Sequence, residues 1–240
     1  MTNGVVRRYR TALSRHHRSA GFGIHSPHAF KFVTQVLRGR LPYYAYEDIA
    51  MLRRAVINAT RSRWPHPRII SEKNAKLLFR VVNHFNPQCI MQVGTCYGVS
   101  CACMLAVSST SRVVLCEPEL DRFTATREVL ALLGDRVECH DAVAATIAAY
   151  REQVGAELPF ILVNDITTQQ EAEALSLYVK ELLAGCCVVM MRNLSRNKLL
   201  NQLWEEWRSY APHGQTFTNE KLAVIVASPK LQREDFFLWF

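Results

Sequence analysis

The sequence predicts a doubly wound α/β fold: a seven-stranded, mostly parallel sheet with a C-terminal antiparallel hairpin, preceded by an N-terminal helical region. Three observations predict it. From residue 87 onward, short β-branched runs alternate with helix-length segments, as parallel strands joined by crossover helices require. The run Cys186-Cys187-Val188-Val189-Met190-Met191 is apolar throughout instead of alternating, which fits a strand buried on both faces. Before Pro87 the periodicity is helical only. Residues 1–86 therefore read as a basic helical region, and residues 87–240 as the α/β domain.

Val5, Val6, Tyr9 and Leu13 lie at helical spacing among arginines, predicting an amphipathic helix over 5–19 that ends at Gly21-Phe22-Gly23. Ser26-Pro27 reads as an N-cap and a first helical residue, opening a helix to about Arg38 whose apolar side carries Phe32, Val33, Val36 and Leu37. A third helix follows Pro42 over 46–61. After Pro65 and Pro67, Ser71 caps a fourth that carries Leu77, Leu78, Val81 and Val82. Strands are expected at 89–93, 112–116, 136–139, 159–164 and 186–191, with helices near 98–108, 119–133, 142–155, 168–184 and 195–210 between and after them. Thr216-Phe217-Thr218 and Leu222 to Ala227 flank a turn at 219–221 and form the hairpin.

Composition narrows the function. With 240 residues, 49% hydrophobic and 21% charged, extended disorder is excluded. No stretch approaches the ~20 apolar residues of a membrane span, so no membrane partner is expected. Eight cysteines without a secretory leader or a C-x-x-C pair read as reduced packing thiols of a cytoplasmic protein, not as a disulfide or zinc framework. The formal charge of +8 is uneven: residues 1–80 hold sixteen basic and three acidic side chains, residues 81–240 thirteen and eighteen. That asymmetry fits an anionic small-molecule partner or, less well, a nucleic acid, although a solvated face is the commonest fate of such charge.

In an open α/β sheet the ligand lies beyond the carboxyl ends of the strands, where the winding reverses. There the first strand runs into Gly94-Thr95-Cys96-Tyr97-Gly98, two glycines four apart at a strand-to-helix turn. The dinucleotide fingerprint would require glycines at 94, 96 and 99 but finds Cys96 and Val99, so the close approach to a pyrophosphate is lost. Nineteen residues past Gly98, Glu117 ends the second strand, placed to accept from ribose hydroxyls. Asp141, after the third, can take an adenine amino group.

On these residues the region 89–228 resembles the class I S-adenosylmethionine-dependent methyltransferases, which have a Rossmann-like sheet. Gly23-Ile24-His25-Ser26-Pro27 with Phe30 also resembles the G-I-H-S-P-F-x-F opening of an O-methyltransferase-like bacterial family. The resemblance implies S-adenosyl-L-methionine as cofactor, with Gly94, Thr95 and Gly98 facing its amino-acid moiety, Glu117 its ribose, Asp141 and Ala142 its adenine, and Gln92, Tyr97 and Asn164 also in the cofactor site. It also marks departures. Gln92 stands where such families carry an acid, and offers only a neutral acceptor to the cofactor's ammonium group. Asn164 and Met191-Arg192 align with carboxylates that hold Mg²⁺ in metal-dependent relatives, so no metal is expected here. In a shifted register Asp165 restores one of those carboxylates and is a catalytic candidate; without a metal, methyl transfer to oxygen of a small-molecule acceptor asks for a base, for which His25 is the candidate. A catalytically silent binding protein and an RNA methyltransferase are the alternatives. Tyr43, Tyr44 and Tyr46 are candidates for lining an acceptor pocket.

Overall fold

The computed structural model describes residues 15–16, 19–61 and 69–240. The helix expected over 5–19 falls mostly outside the described residues. Ser26 caps α1, Pro27–Lys31, by accepting from the Ala29 amide, and the helix runs on as a π-helical segment, Phe32–Leu37. α2 is Ala45–Thr60, and α3 is Glu72–Phe85, capped by Ser71 and closed by Asn86 in the left-handed conformation.

The alternation then begins: β1 Cys89–Val93, α4 Val99–Leu105, β2 Arg112–Cys116, α5 Leu120–Leu130, β3 Val137–His140, α6 Val143–Val154, β4 Phe160–Val163, α7 Gln169–Leu183, β5 Cys187–Arg192 and α8 Lys198–Tyr210. β6 Gln215–Thr218 and β7 Leu222–Ala227 form the hairpin, and β8 Glu234–Phe237 follows. The sheet therefore has eight strands, not seven, in the order β3-β2-β1-β4-β5-β7-β6-β8. β8 pairs parallel to β6 at the edge, and of its residues Glu234-Asp235-Phe236-Phe237 only Phe236 is buried. Among these strands β7 alone runs antiparallel to the rest.

Alternate strand residues feed two cores. Ile90, Leu115, Leu162, Val188 and Met190 pack with α1, α3, α4 and α5; Met91, Val114, Ile161, Val189 and Met191 pack with α6, α7 and α8. Phe32 lies in the first core, fully buried, with its ring 4.8 Å from Phe217 of β6 and 5.7 Å from Phe85 of α3. The described N-terminal helices thus lie against a face of the sheet. Among the described residues no helix is long and apolar enough to cross a membrane. All eight cysteines are free thiols, and burial pushes Cys103, Cys116 and Cys187 up to about 12.

Candidate functional site

The strand order reverses between β1 and β4, whose carboxyl ends lie side by side. The turns there touch. Gly94 has φ +79°, and a Cβ on it would stand 2.8 Å from the Asp165 amide nitrogen, so glycine is required twice over. Cys96 and Tyr97 follow with φ of 48° and 56°, a left-handed pair that costs on the order of 1–3 kcal/mol per residue and needs support from around it.

That support is a buried amide network. Gln92 Nε2 donates to the carbonyls of Gly94 (2.8 Å) and Thr95 (3.3 Å) and to Ser100 Oγ (3.0 Å). Asn164 Nδ2 donates to the same Gly94 carbonyl (2.8 Å) and to Ser100 Oγ (3.2 Å). A carboxylate at 92 could make neither of the two bonds to backbone carbonyls, which gives glutamine a structural reason at this position. Its Oε1 is sealed from solvent with no partner. The residue expected to accept from a ligand therefore spends its donors on the loop and retains one buried acceptor.

Glu117, at the end of β2, is 1% exposed. Its Oε2 accepts from the Thr95 amide (3.1 Å) and hydroxyl (2.8 Å), and its Oε1 from the Glu119 amide (3.2 Å). Arg122, on the first turn of α5, lies 3.4 Å from Glu117, 2.7 Å from Glu119 and 3.5 Å from Asp165. Burial works against that guanidinium's charge, but the three carboxylates outweigh it and raise its pKa. Arg122 thus spans the crevice from the end of β2 to the end of β4. Asp165 also accepts from Asn197 Nδ2 (2.7 Å) and the Ile166 amide (3.1 Å). One strand over, β3 pairs Cys116 with His140, which sets Asp141 and Ala142 beside Glu117, both exposed.

At the end of β5, Met191 points into the opposite core and offers the crevice no thioether. Arg192 points inward, 5% exposed, and its Nη1 donates to Asn164 Oδ1 (2.6 Å) and to Cys96 Sγ (3.3 Å). Asn164 is therefore a hub that donates to the glycine loop and accepts from β5.

Gln92, Gly94, Thr95, Tyr97, Gly98, Glu117, Asp141, Ala142, Asn164 and Asp165 come together at this end of the sheet. His25 does not. It is exposed beside Ser26, whose Oγ accepts from Gln215 Nε2 (2.7 Å). Gln215 shares a row with Val226, Val188, Phe160 and Ile90 near the amino ends of the strands. Four strands across and four residues down put Gln215 about 23 Å from Gly94, and His25, beside Ser26 at Gln215, is thereby removed as a base at these strand ends. The tyrosines fare similarly: Tyr43 and Tyr46 pack on Phe79, and Tyr44 is fully exposed.

Arg122, Ser100, Asn193 and Asn197 belong to the site and are not among the sequence candidates. Asn197 caps α8 and Asn193 Nδ2 donates to the Asn164 carbonyl (2.9 Å), so the two amides fasten the β4 turn. The i,i+3 spacing of Glu119 and Arg122 at the start of α5 was the available signal for the arginine.

No protein-family model and no curated protein sequence matches the chain. Solved structures do match in shape. An O-methyltransferase from Bacillus cereus in complex with S-adenosylhomocysteine aligns over 82% of this chain and 96% of its own, with TM-score 0.56 and 17% identity. A methyltransferase from Podospora anserina bound to S-adenosylhomocysteine aligns over 79% and 98%, at 0.55 and 16%. An O-methyltransferase from Streptomyces achromogenes involved in tomaymycin synthesis, in complex with S-adenosylmethionine, aligns over 78% and 91%, at 0.54 and 15%. The chain thus has the Rossmann-like α/β fold of S-adenosylmethionine-dependent O-methyltransferases.

Proposed function

We propose that the protein transfers a methyl group from S-adenosyl-L-methionine to an oxygen of a small-molecule acceptor without a divalent metal. The observation that carries the reading is Glu117: a buried carboxylate at the end of β2, bonded to the loop that follows β1, stands where a nucleoside's ribose hydroxyls find an acceptor in such folds. The residues fit the cofactor in kind. Gln92 Oε1 is a buried acceptor without a partner, suited to an ammonium group, and Asp141 with Ala142 is open beyond β3 for an adenine. When bound, the sulfonium supplies the electrophilic methyl group.

The metal-free part rests on charge. Asn164 Oδ1 is already engaged by the Arg192 guanidinium, and a hard dication gains little from a neutral amide beside a fixed positive charge. The protein's own work is then to hold the loop, exclude water and align the acceptor. Asp165, half-buried and held by Asn197, is the carboxylate in place to take a proton.

The experiment is a methyl-transfer assay over hydroxylated acceptors, run with EDTA and with added Mg²⁺. Transfer that is equal in both is expected. Transfer that requires Mg²⁺ would overturn the metal-free part, and donor binding with no transfer to any acceptor would favour a silent binding protein.

A further inference from the structure

Arg192 is a buried cation whose described partners are all neutral. It is 5% exposed, and both of its polar contacts, to Asn164 Oδ1 and Cys96 Sγ, are made by Nη1. Nε is sealed inside with no partner; Nη2 makes no hydrogen bond to a described residue and, unlike Nε, is not sealed. No ion pair joins Arg192 to a described carboxylate; Asp165 next door is turned to Arg122 and Asn197.

A guanidinium removed from water with only an amide oxygen and a thiol beside it is costly. Its unused edge is informative, because Nε–H and Nη2–H point the same way and together form the fork that takes both oxygens of a carboxylate. The other edge is held by Asn164, which is itself tied to Gly94 and Ser100, so the fork is fixed in direction before any ligand arrives. It stands behind the Gly94–Gly98 loop, at the strand end next to the switch point.

We propose that the Nε/Nη2 edge of Arg192 is a carboxylate-binding site, occupied by a carboxylate of a bound small molecule. The donor's amino-acid carboxylate and a carboxylate on the methyl acceptor share this chemistry. The donor alternative rests on the proposed function; the site itself does not.

The test follows the Arg192 side-chain ¹⁵Nε–H resonance in the whole protein, assigned by its loss in Arg192→Lys, which keeps the charge but removes the fork. The probes are S-adenosylhomocysteine, 5′-methylthioadenosine, which lacks the amino-acid part, and benzoate. A shift with S-adenosylhomocysteine but not with methylthioadenosine, together with a roughly tenfold or greater loss of S-adenosylhomocysteine affinity in Arg192→Lys, assigns the donor's carboxylate. A shift with benzoate in protein already saturated with S-adenosylhomocysteine assigns the acceptor's. A benzoate shift without any nucleoside binding keeps this site and sinks the methyltransferase reading. An unmoved resonance with all three probes, and unchanged affinities in the folded lysine variant, would overturn the proposal.

Discussion

The Thr95 hydroxyl donates to Glu117 Oε2 at 2.8 Å, and through that bond the loop after β1 is fastened to the end of β2. The same oxygen receives the Thr95 amide, so one residue satisfies half of a carboxylate that has almost no contact with water. A ligand that uses Glu117 thus meets a group whose direction is already set.

Replacing Thr95 with Val removes the hydroxyl and keeps the shape. A hydrogen bond to a charged group is worth about 1.5–3 kcal/mol, so nucleoside affinity is expected to fall by roughly tenfold to a hundredfold while the fold remains. Calorimetry with S-adenosylhomocysteine checks this, and an unchanged affinity would mean that the loop needs no fastening.

Arg122 lies across the crevice between Glu117 and Asp165. A ligand seated between the ends of β2 and β4 must move it. Arg122→Ala is therefore expected to bind S-adenosylhomocysteine several-fold more tightly than the unmodified protein. Weaker binding would show that the guanidinium contacts the ligand instead of standing in its way.

Phe32 joins the N-terminal helices to the sheet through Phe217. Because the ring is fully buried between them, Phe32→Ala should cost about 3–5 kcal/mol. Urea unfolding followed by circular dichroism reads that loss as one cooperative transition at lower denaturant. A small early transition that leaves the sheet at its original midpoint would instead show that the helices are a separate unit.

The buried thiols set an alkaline limit. Burial pushes Cys103, Cys116 and Cys187 up to about 12, whereas an unfolded thiol ionises near 8.5. Between those values the unfolded chain binds fewer protons than the folded one, so stability is intact below about pH 8.5 and falls as pH rises toward 12. Urea midpoints measured from about pH 8 to 10.5 should decline, and a flat series would contradict the burial of these thiols.

The strands were legible because they are mostly buried on both faces and largely apolar: β1 and β2 have the expected limits, and β5 is displaced by one residue. β8 was not, since Glu234 and Asp235 interrupt its apolar pattern and it pairs at an edge with a strand sixteen residues upstream. At the site, Gly94 and Glu117 were legible from their place after strands. Arg122 was not, because its role depends on Asp165, forty-three residues later, standing beside the β2 end. His25 was misplaced for a related reason: a motif in a turn carries no information on which end of the sheet that turn reaches. Gln92 was expected at the site, but not the direction of its amide, which is settled by two backbone carbonyls of the loop.

The most direct test is calorimetric titration of the unmodified protein and of Gly94→Arg with S-adenosylhomocysteine. A side chain at 94 has no room, since even a Cβ meets the Asp165 backbone. One-to-one binding by the unmodified protein, lost in the variant, is the expected result; no binding by a folded, unmodified protein would contradict the methyltransferase reading.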